Sequence, residues 1–192
     1  MKLLVNALLK FASGLLLVSV LIFLPAGTLS YTYGWLLVGL LFGPMLIAGF
    51  VMLSKSPEFL KKRLDAKEKQ AAQKGVLAAS GLMFIAGFVT AGLDHRFDWS
   101  RLPRGVALGA AAAFLIAYVL YAEVLRENTY LSRTIEVQEG QRVIDTGLYG
   151  IVRHPMYAAT VLMFLSMPLV LGSWVSLLVF LAYPVLIAVR IR

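Results

Sequence analysis

Apolar residues along this chain come in long blocks separated by short polar punctuation, and the blocks fall near residues 7–24, 34–53, 76–93, 104–122, 156–171 and 174–190. A hydrocarbon core of about 30 Å takes roughly 17 to 25 apolar residues of helix to cross. Each block therefore predicts a membrane span. The expected fold is all-α, a polytopic transmembrane helical bundle of about six spans forming a single membrane domain over 1–192. The last two blocks are the shortest and are divided only by Leu171-Gly172-Ser173-Trp174. They predict a tight helical hairpin, and the count drops to five if they do not both cross.

Composition strengthens this picture and narrows the chemistry. Hydrophobic residues make up 60% of the chain and charged residues 15%, where a soluble domain carries about 25% charged residues. Mean hydropathy is +0.82. The first block superficially resembles a signal peptide, but it lacks a convincing small-residue cleavage site and reads as a span. With no cysteine in the sequence, disulfides, thiolate metal sites and cysteine nucleophiles are excluded. Ionisable residues are almost absent from the blocks before Arg190, which leaves a proton relay or ion path little to run on.

The net charge of +8 does not point to nucleic acid, because the basic residues sit between the spans. With six spans and the N-terminus inside, 15 of the 18 Lys and Arg residues gather on one side. The other side holds Arg96, Arg101 and Arg104, with Asp94 and Asp98 beside them. Lys and Arg concentrate on the cytoplasmic side of membrane proteins, so both termini are expected there, in the inner membrane if the chain is bacterial. The basic cytoplasmic loop of about 54–75 begins Ser56-Pro57-Glu58, a helix-start pattern, and is expected to lie on anionic headgroups. On the opposite side, the stretch from Ala91 to Pro103 contains His95, Asp94 and Asp98. It reads as an interfacial turn anchored by Phe97 and Trp99 in preference to a metal site.

Chemistry concentrates in the cytoplasmic segment of about 123–157. It reads as a helix end through Asn128, extended pieces at 134–137 and 142–144 around a turn at Glu139-Gly140, and then Gly-Leu-Tyr-Gly-Ile-Val-Arg-His-Pro-Met-Tyr from Gly147 to Tyr157. Proline suits the first position of a helix, where its missing N–H costs nothing. The residue before a proline is pushed out of the helical region. Pro155 is thus expected to open a helix, with His154 at its mouth and Tyr157 on its first turn. Unpaired N–H groups and the positive end of the helix dipole make such a mouth a site for a carboxylate or other anion. The competing reading is a surface turn in which Arg153 meets lipid headgroups and the tyrosines join an aromatic belt. Phosphate loops, dinucleotide fingerprints, metalloprotease motifs and nucleophile elbows are all missing from the sequence.

The run from Gly140 to Tyr157, followed by Pro168-Leu-Val-Leu-Gly-Ser-Trp174, resembles the isoprenylcysteine carboxyl methyltransferase family and its bacterial relatives. Ser56–Leu64 and Ala91–Ser100 also look like segments of the bacterial branch, so the likeness extends over roughly residues 55–192. The pattern Gly-x-Tyr-x-x-x-Arg-His-Pro-x-Tyr is shared with phospholipid methyltransferases and membrane sterol reductases. The resemblance implies an integral membrane enzyme that moves a methyl group from S-adenosylmethionine to a lipophilic acceptor, such as the carboxylate of a prenylated cysteine. Carried over by position, Gln141, Arg142, Val143, Ile144, Tyr149, His154, Pro155, Met156 and Tyr157 would bind the cofactor. Arg153 would be the catalytic candidate, through charge balance or pocket shape, and Arg190 would hold the acceptor.

Two departures accompany the resemblance. Gln141 stands where family members usually have His, and the family pattern of paired acidic residues, a Tyr-containing segment and a basic end has no counterpart before Arg192. A shortened chain or an altered activity is the corresponding expectation. The alternatives are a sterol-reductase-like oxidoreductase using NADPH and a non-enzymatic membrane scaffold.

Overall fold

The computed structural model describes residues 2–65, 71–128 and 146–191. Their elements are α1 (Lys2–Ala26), α2 (Thr32–Lys55), α3 (Pro57–Asp65), α4 (Ala71–Phe97), α5 (Arg104–Glu127), a 3-10 turn (Gly147–Gly150), α6 (Pro155–Val170), α7 (Trp174–Phe180) and α8 (Ala182–Ile191). No strand occurs among the described residues. The extended pieces expected at 134–137 and 142–144 lie outside them.

Every apolar block has become helix, and α1, α2, α4 and α5 run past their blocks into the polar flanks. Among the described residues, five stretches are long and apolar enough to cross a membrane: α1, α2, Lys74–Phe97 within α4, α5, and α7 with α8 taken together as Trp174–Ile191. The remaining helix, α6, has 16 residues and spans only about 24 Å at 1.5 Å per residue. It nevertheless joins the same two ends of the bundle. Its start follows the 3-10 turn bonded to the end of α5, and the carbonyl of its last-turn neighbour Leu171 accepts from the Tyr31 hydroxyl in the α1–α2 connection.

Prolines explain where the rods stop or break. Pro57 opens α3 and Pro155 opens α6, both as the sequence pattern predicts. The last span is interrupted at Leu181 because Pro184 has no N–H to give the carbonyl of Phe180 and crowds it instead. The α6–α7 hairpin turns on Gly172, whose φ of 76° is left-handed and therefore favours glycine. There the N–H groups of Gly172 and Ser173 bond the carbonyls of Leu169 and Pro168, each at 3.0 Å, in the Schellman arrangement.

Packing follows the rule for helices in lipid, where apolar surface alone gives no drive to associate and small residues permit close approach. Helix α5 lies along α6, α1 lies along α4, and α4 also meets α6, α7 and α8. At Gly92 an added Cβ would fall 2.5 Å from the backbone oxygen of Ile22, and at Gly87 it would fall 2.2 Å from the Phe180 ring. Phe84, Phe88, Phe164, Phe180 and Tyr183 fill the centre between α4, α6 and the last span, with Phe164 and Tyr183 edge-to-face at 4.6 Å.

The stretch 91–103 is not mainly an interfacial turn, since α4 continues to Phe97 and Asp94 is buried at 2% exposure. The Asp94 carboxylate accepts from the Ser100 N–H at 2.7 Å, the Ser100 hydroxyl at 2.6 Å and the Ser173 hydroxyl. Ser173 Oγ in turn accepts from the Ser176 N–H at 3.0 Å and caps α7. Tyr31 stacks on His95 with centroids 3.9 Å apart. A buried acid is tolerated when its lone pairs are satisfied, and this one ties the α4–α5 and α6–α7 connections together, while Tyr31 adds the α1–α2 connection to the clasp through Leu171 and His95. Burial, and secondarily the Asp94 charge, push the Tyr31 phenol up from its usual 10. Phe97 and Trp99 are exposed and stacked on each other, as an interfacial anchor requires.

Candidate functional site

The opposite end of the bundle carries the residues singled out by the sequence. Helix α5 stops at Glu127, and Asn128 follows as its cap, donating its N–H to the Val124 carbonyl at 3.0 Å. Past the undescribed residues the chain returns as the 3-10 turn, with Tyr149 N–H donating to the Thr146 carbonyl at 3.0 Å. Gly147 has φ 52°, again left-handed, and the Glu127 carboxylate fills the space a side chain there would need. The Leu148 N–H donates to Glu127 at 3.2 Å, and the Asn128 amide donates to the Tyr149 hydroxyl at 2.9 Å. These two bonds staple the end of α5 to the turn before α6.

His154 is the residue before α6, with φ −131° and ψ 65°, and Pro155 is buried at the first helical position. The His154 side chain does not cap this end. The first helical bond runs from the Ala158 N–H to the His154 carbonyl at 3.1 Å. Pro155 brings no N–H, so the N–H groups of Met156 and Tyr157 are left pointing out of the helix mouth. The His154 and Tyr157 rings stand beside that mouth, 5.7 Å apart between centroids.

Tyr157 also faces inward, half-buried against the core. The phenol of Tyr183 on α8 has Thr160, Arg190, Tyr157 and Tyr121 as electrostatic neighbours. Tyr183 is thus within electrostatic range of both Tyr157 and Arg190, the latter half-buried in the last turn of α8. Two other charges of this end are already engaged. Arg126 is bound to Glu123 at 2.9 Å, and Glu127 belongs to the staple.

Of the residues named from sequence, His154, Pro155, Met156 and Tyr157 form the mouth, Tyr149 is held by Asn128 in the turn before it, and Arg190 is within electrostatic range of Tyr183. Arg153 is exposed at the turn. Gln141, Arg142, Val143 and Ile144 lie outside the described residues. Sequence reasoning missed Tyr121, Glu127, Thr160 and Tyr183. Part of the signal was present: Tyr183 and Arg190 are seven residues apart, and Tyr157 and Thr160 three apart, spacings that place each pair on one helix face.

The fold and this site together define a helical membrane protein with a proline-started helix mouth at one end, flanked by His154 and Tyr157. Residues 103–192, just under half of the chain, match the family model for phospholipid methyltransferase. That family belongs to the isoprenylcysteine carboxyl methyltransferase-like group of membrane methyltransferases. The matched stretch begins just before α5 and takes in the staple, the α6 mouth and Arg190. No curated protein and no solved structure is significantly similar to the chain.

Proposed function

We propose that the chain transfers a methyl group from S-adenosylmethionine to a lipophilic acceptor bearing a carboxylate, an isoprenylcysteine-like molecule being the model case. The observation that carries this reading is the mouth of α6, which the His154 side chain does not cap, flanked by the His154 and Tyr157 rings with Tyr183 and Arg190 in electrostatic range, within the stretch that matches the methyltransferase family. The donor set suits the cofactor. An open helix N-terminus accepts its carboxylate, and tyrosine faces accommodate a cation such as its sulfonium.

When bound, S-adenosylmethionine supplies an electrophilic methyl group. The residues of the chain do the rest. His154 and the N–H groups of Met156 and Tyr157 would hold the amino-acid carboxylate, and Tyr149 and Tyr157 would supply aromatic faces for its positive centre. Arg190 orients the acceptor carboxylate, with its planar fork suited to two parallel hydrogen bonds. Arg153 balances charge at the rim, and Gln141, Arg142, Val143 and Ile144 complete the cofactor side by their place in the family pattern. A carboxylate is ionised near neutral pH and already nucleophilic, so no general base is required. Alignment and exclusion of water supply most of the rate, and well-oriented reactants gain roughly 7–11 kcal/mol. The site end faces the cytoplasm in this reading, on the strength of the Lys and Arg distribution.

Calorimetric titration of the detergent-solubilised chain with S-adenosylhomocysteine tests the proposal. Saturable binding is expected, with no comparable binding of NADPH. If NADPH binds in its place, the chain is an oxidoreductase; if neither binds, the scaffold reading stands.

A further inference from the structure

At the clasp end, on the far side of the bundle from the α6 mouth, an open groove of about 680 Å³ runs between α1 and α2. Val20, Phe23, Leu24, Gly27, Leu29 and Trp35 line it. Its walls are set by firm contacts: the Phe23 and Trp35 rings lie 4.6 Å apart, and the Trp35 indole N–H donates to the Leu29 carbonyl at 2.8 Å. At Gly27 the groove meets a charge. The guanidinium of Arg96, from the last turn of α4, lies 3.5 Å from where a Gly27 side chain would begin.

Arg96 is available in a way its neighbour is not. Arg101 is held by Asp98, whereas among the described residues Arg96 has no carboxylate within ion-pair distance and lies over the Phe97 ring at 5.4 Å. Gly27 turns the chain with φ 67°, and any side chain there would stand between the groove and the guanidinium. An apolar furrow that ends on an exposed guanidinium, beside an interfacial tryptophan, has the layout of an acyl chain continued by a phosphate.

We infer that this groove binds one glycerophospholipid of net negative charge, its acyl chain against Phe23, Leu24 and Trp35 and its phosphate on Arg96. Lipid tails are as apolar as the groove, so exchanging one for another contributes little selectivity. Discrimination rests on the headgroup. A zwitterionic lipid carries its own cation beside the phosphate and competes with Arg96, while an anionic headgroup does not. The site is separate from the α6 mouth and does not depend on the methyltransferase reading.

Native mass spectrometry of the full chain in detergent, titrated with phosphatidylglycerol or with phosphatidylcholine of matched acyl chains, reads this directly. Phosphatidylglycerol is expected to be retained about tenfold more tightly, the size of one charge-assisted hydrogen bond. Arg96→Gln abolishes that preference, whereas Arg104→Gln leaves it intact. Ser19→Trp, which fills the groove, lowers binding of both lipids. Its fold is checked by an unchanged thermal midpoint without lipid, and Arg96→Gln tests the site independently. Inorganic phosphate at equal concentration fails to displace the lipid. Equal retention of the two lipids, an Arg104→Gln effect matching that of Arg96→Gln, or displacement by phosphate overturns the inference.

Discussion

Glu127 occupies the place where a side chain at residue 147 would have to go: a Cβ on Gly147 would come within 1.9 Å of the Glu127 carboxylate. Two positions twenty residues apart in sequence thus define one another, and their contact fixes how α5 approaches the turn that presents His154.

Gly147→Ala should therefore damage the site more than the fold. The left-handed backbone alone costs a side chain roughly 1–2 kcal/mol, and the carboxylate must also move. The expected result is a loss of about tenfold or more in S-adenosylhomocysteine affinity with a small change in thermal midpoint. Glu127→Ala relieves the clash, so the double variant should lose less than the sum of the single ones. Strict additivity in that cycle would show that the contact does not matter.

His154→Ala removes a side chain from the α6 mouth without touching the core, since His154 is exposed. Affinity for S-adenosylhomocysteine should fall about tenfold or more, in line with roughly 1.5–3 kcal/mol for a hydrogen bond to a charged group. Tyr157→Phe should have a smaller effect, because the ring remains. Unchanged calorimetric affinity in both variants would remove the basis for placing the cofactor at this mouth.

At the clasp, Asp94→Ala leaves the Ser100 N–H and the Ser100 and Ser173 hydroxyls without their acceptor. Orphaned buried donors cost about 1–3 kcal/mol each where water cannot reach them, so the thermal midpoint in detergent should drop by several degrees. Ser173→Ala, which removes one of these donors and the α7 cap, should cost less than Asp94→Ala.

Alkaline pH offers a separate check on Tyr31, whose phenol is pushed above its usual 10 by burial and by Asp94. A raised folded-state pKa means a contribution fully present below the unfolded value and lost as pH climbs past it. The thermal midpoint should fall above pH 10, and Tyr31→Phe should flatten part of that fall. At neutral pH the same variant forfeits the bond to the Leu171 carbonyl and starts from a lower midpoint. An identical alkaline slope in both proteins would exclude Tyr31 as a contributor.

The close glycines predict an asymmetric response to alanine. Gly92→Ala pushes a methyl against the Ile22 carbonyl and should cost about 1–3 kcal/mol. Gly81→Ala meets nothing within 4 Å and should be neutral or mildly stabilising, through the better helix propensity of alanine. Equal thermal midpoints for the two variants would refute the α1–α4 packing.

How much of this was readable in advance follows from which forces act locally. Span positions were legible because crossing hydrocarbon demands a long apolar run, and the start of α6 was legible because Pro155 constrains its own φ and the residue before it. The hairpin at Gly172 announced itself as a glycine between two apolar runs. Asp94 did not, because its burial depends on Ser173, seventy-nine residues away. The same holds for Glu127 under Gly147. Tyr183 was half legible: its register with Arg190 lay in the sequence, but its closeness to Tyr157 on α6 required the fold.

The serine-aspartate clasp sets the mechanics of the whole bundle. Three of its connections are stitched together at one rim, so helices far apart in sequence share a single fastening and a change at Asp94, Ser173 or Tyr31 is felt by all of them.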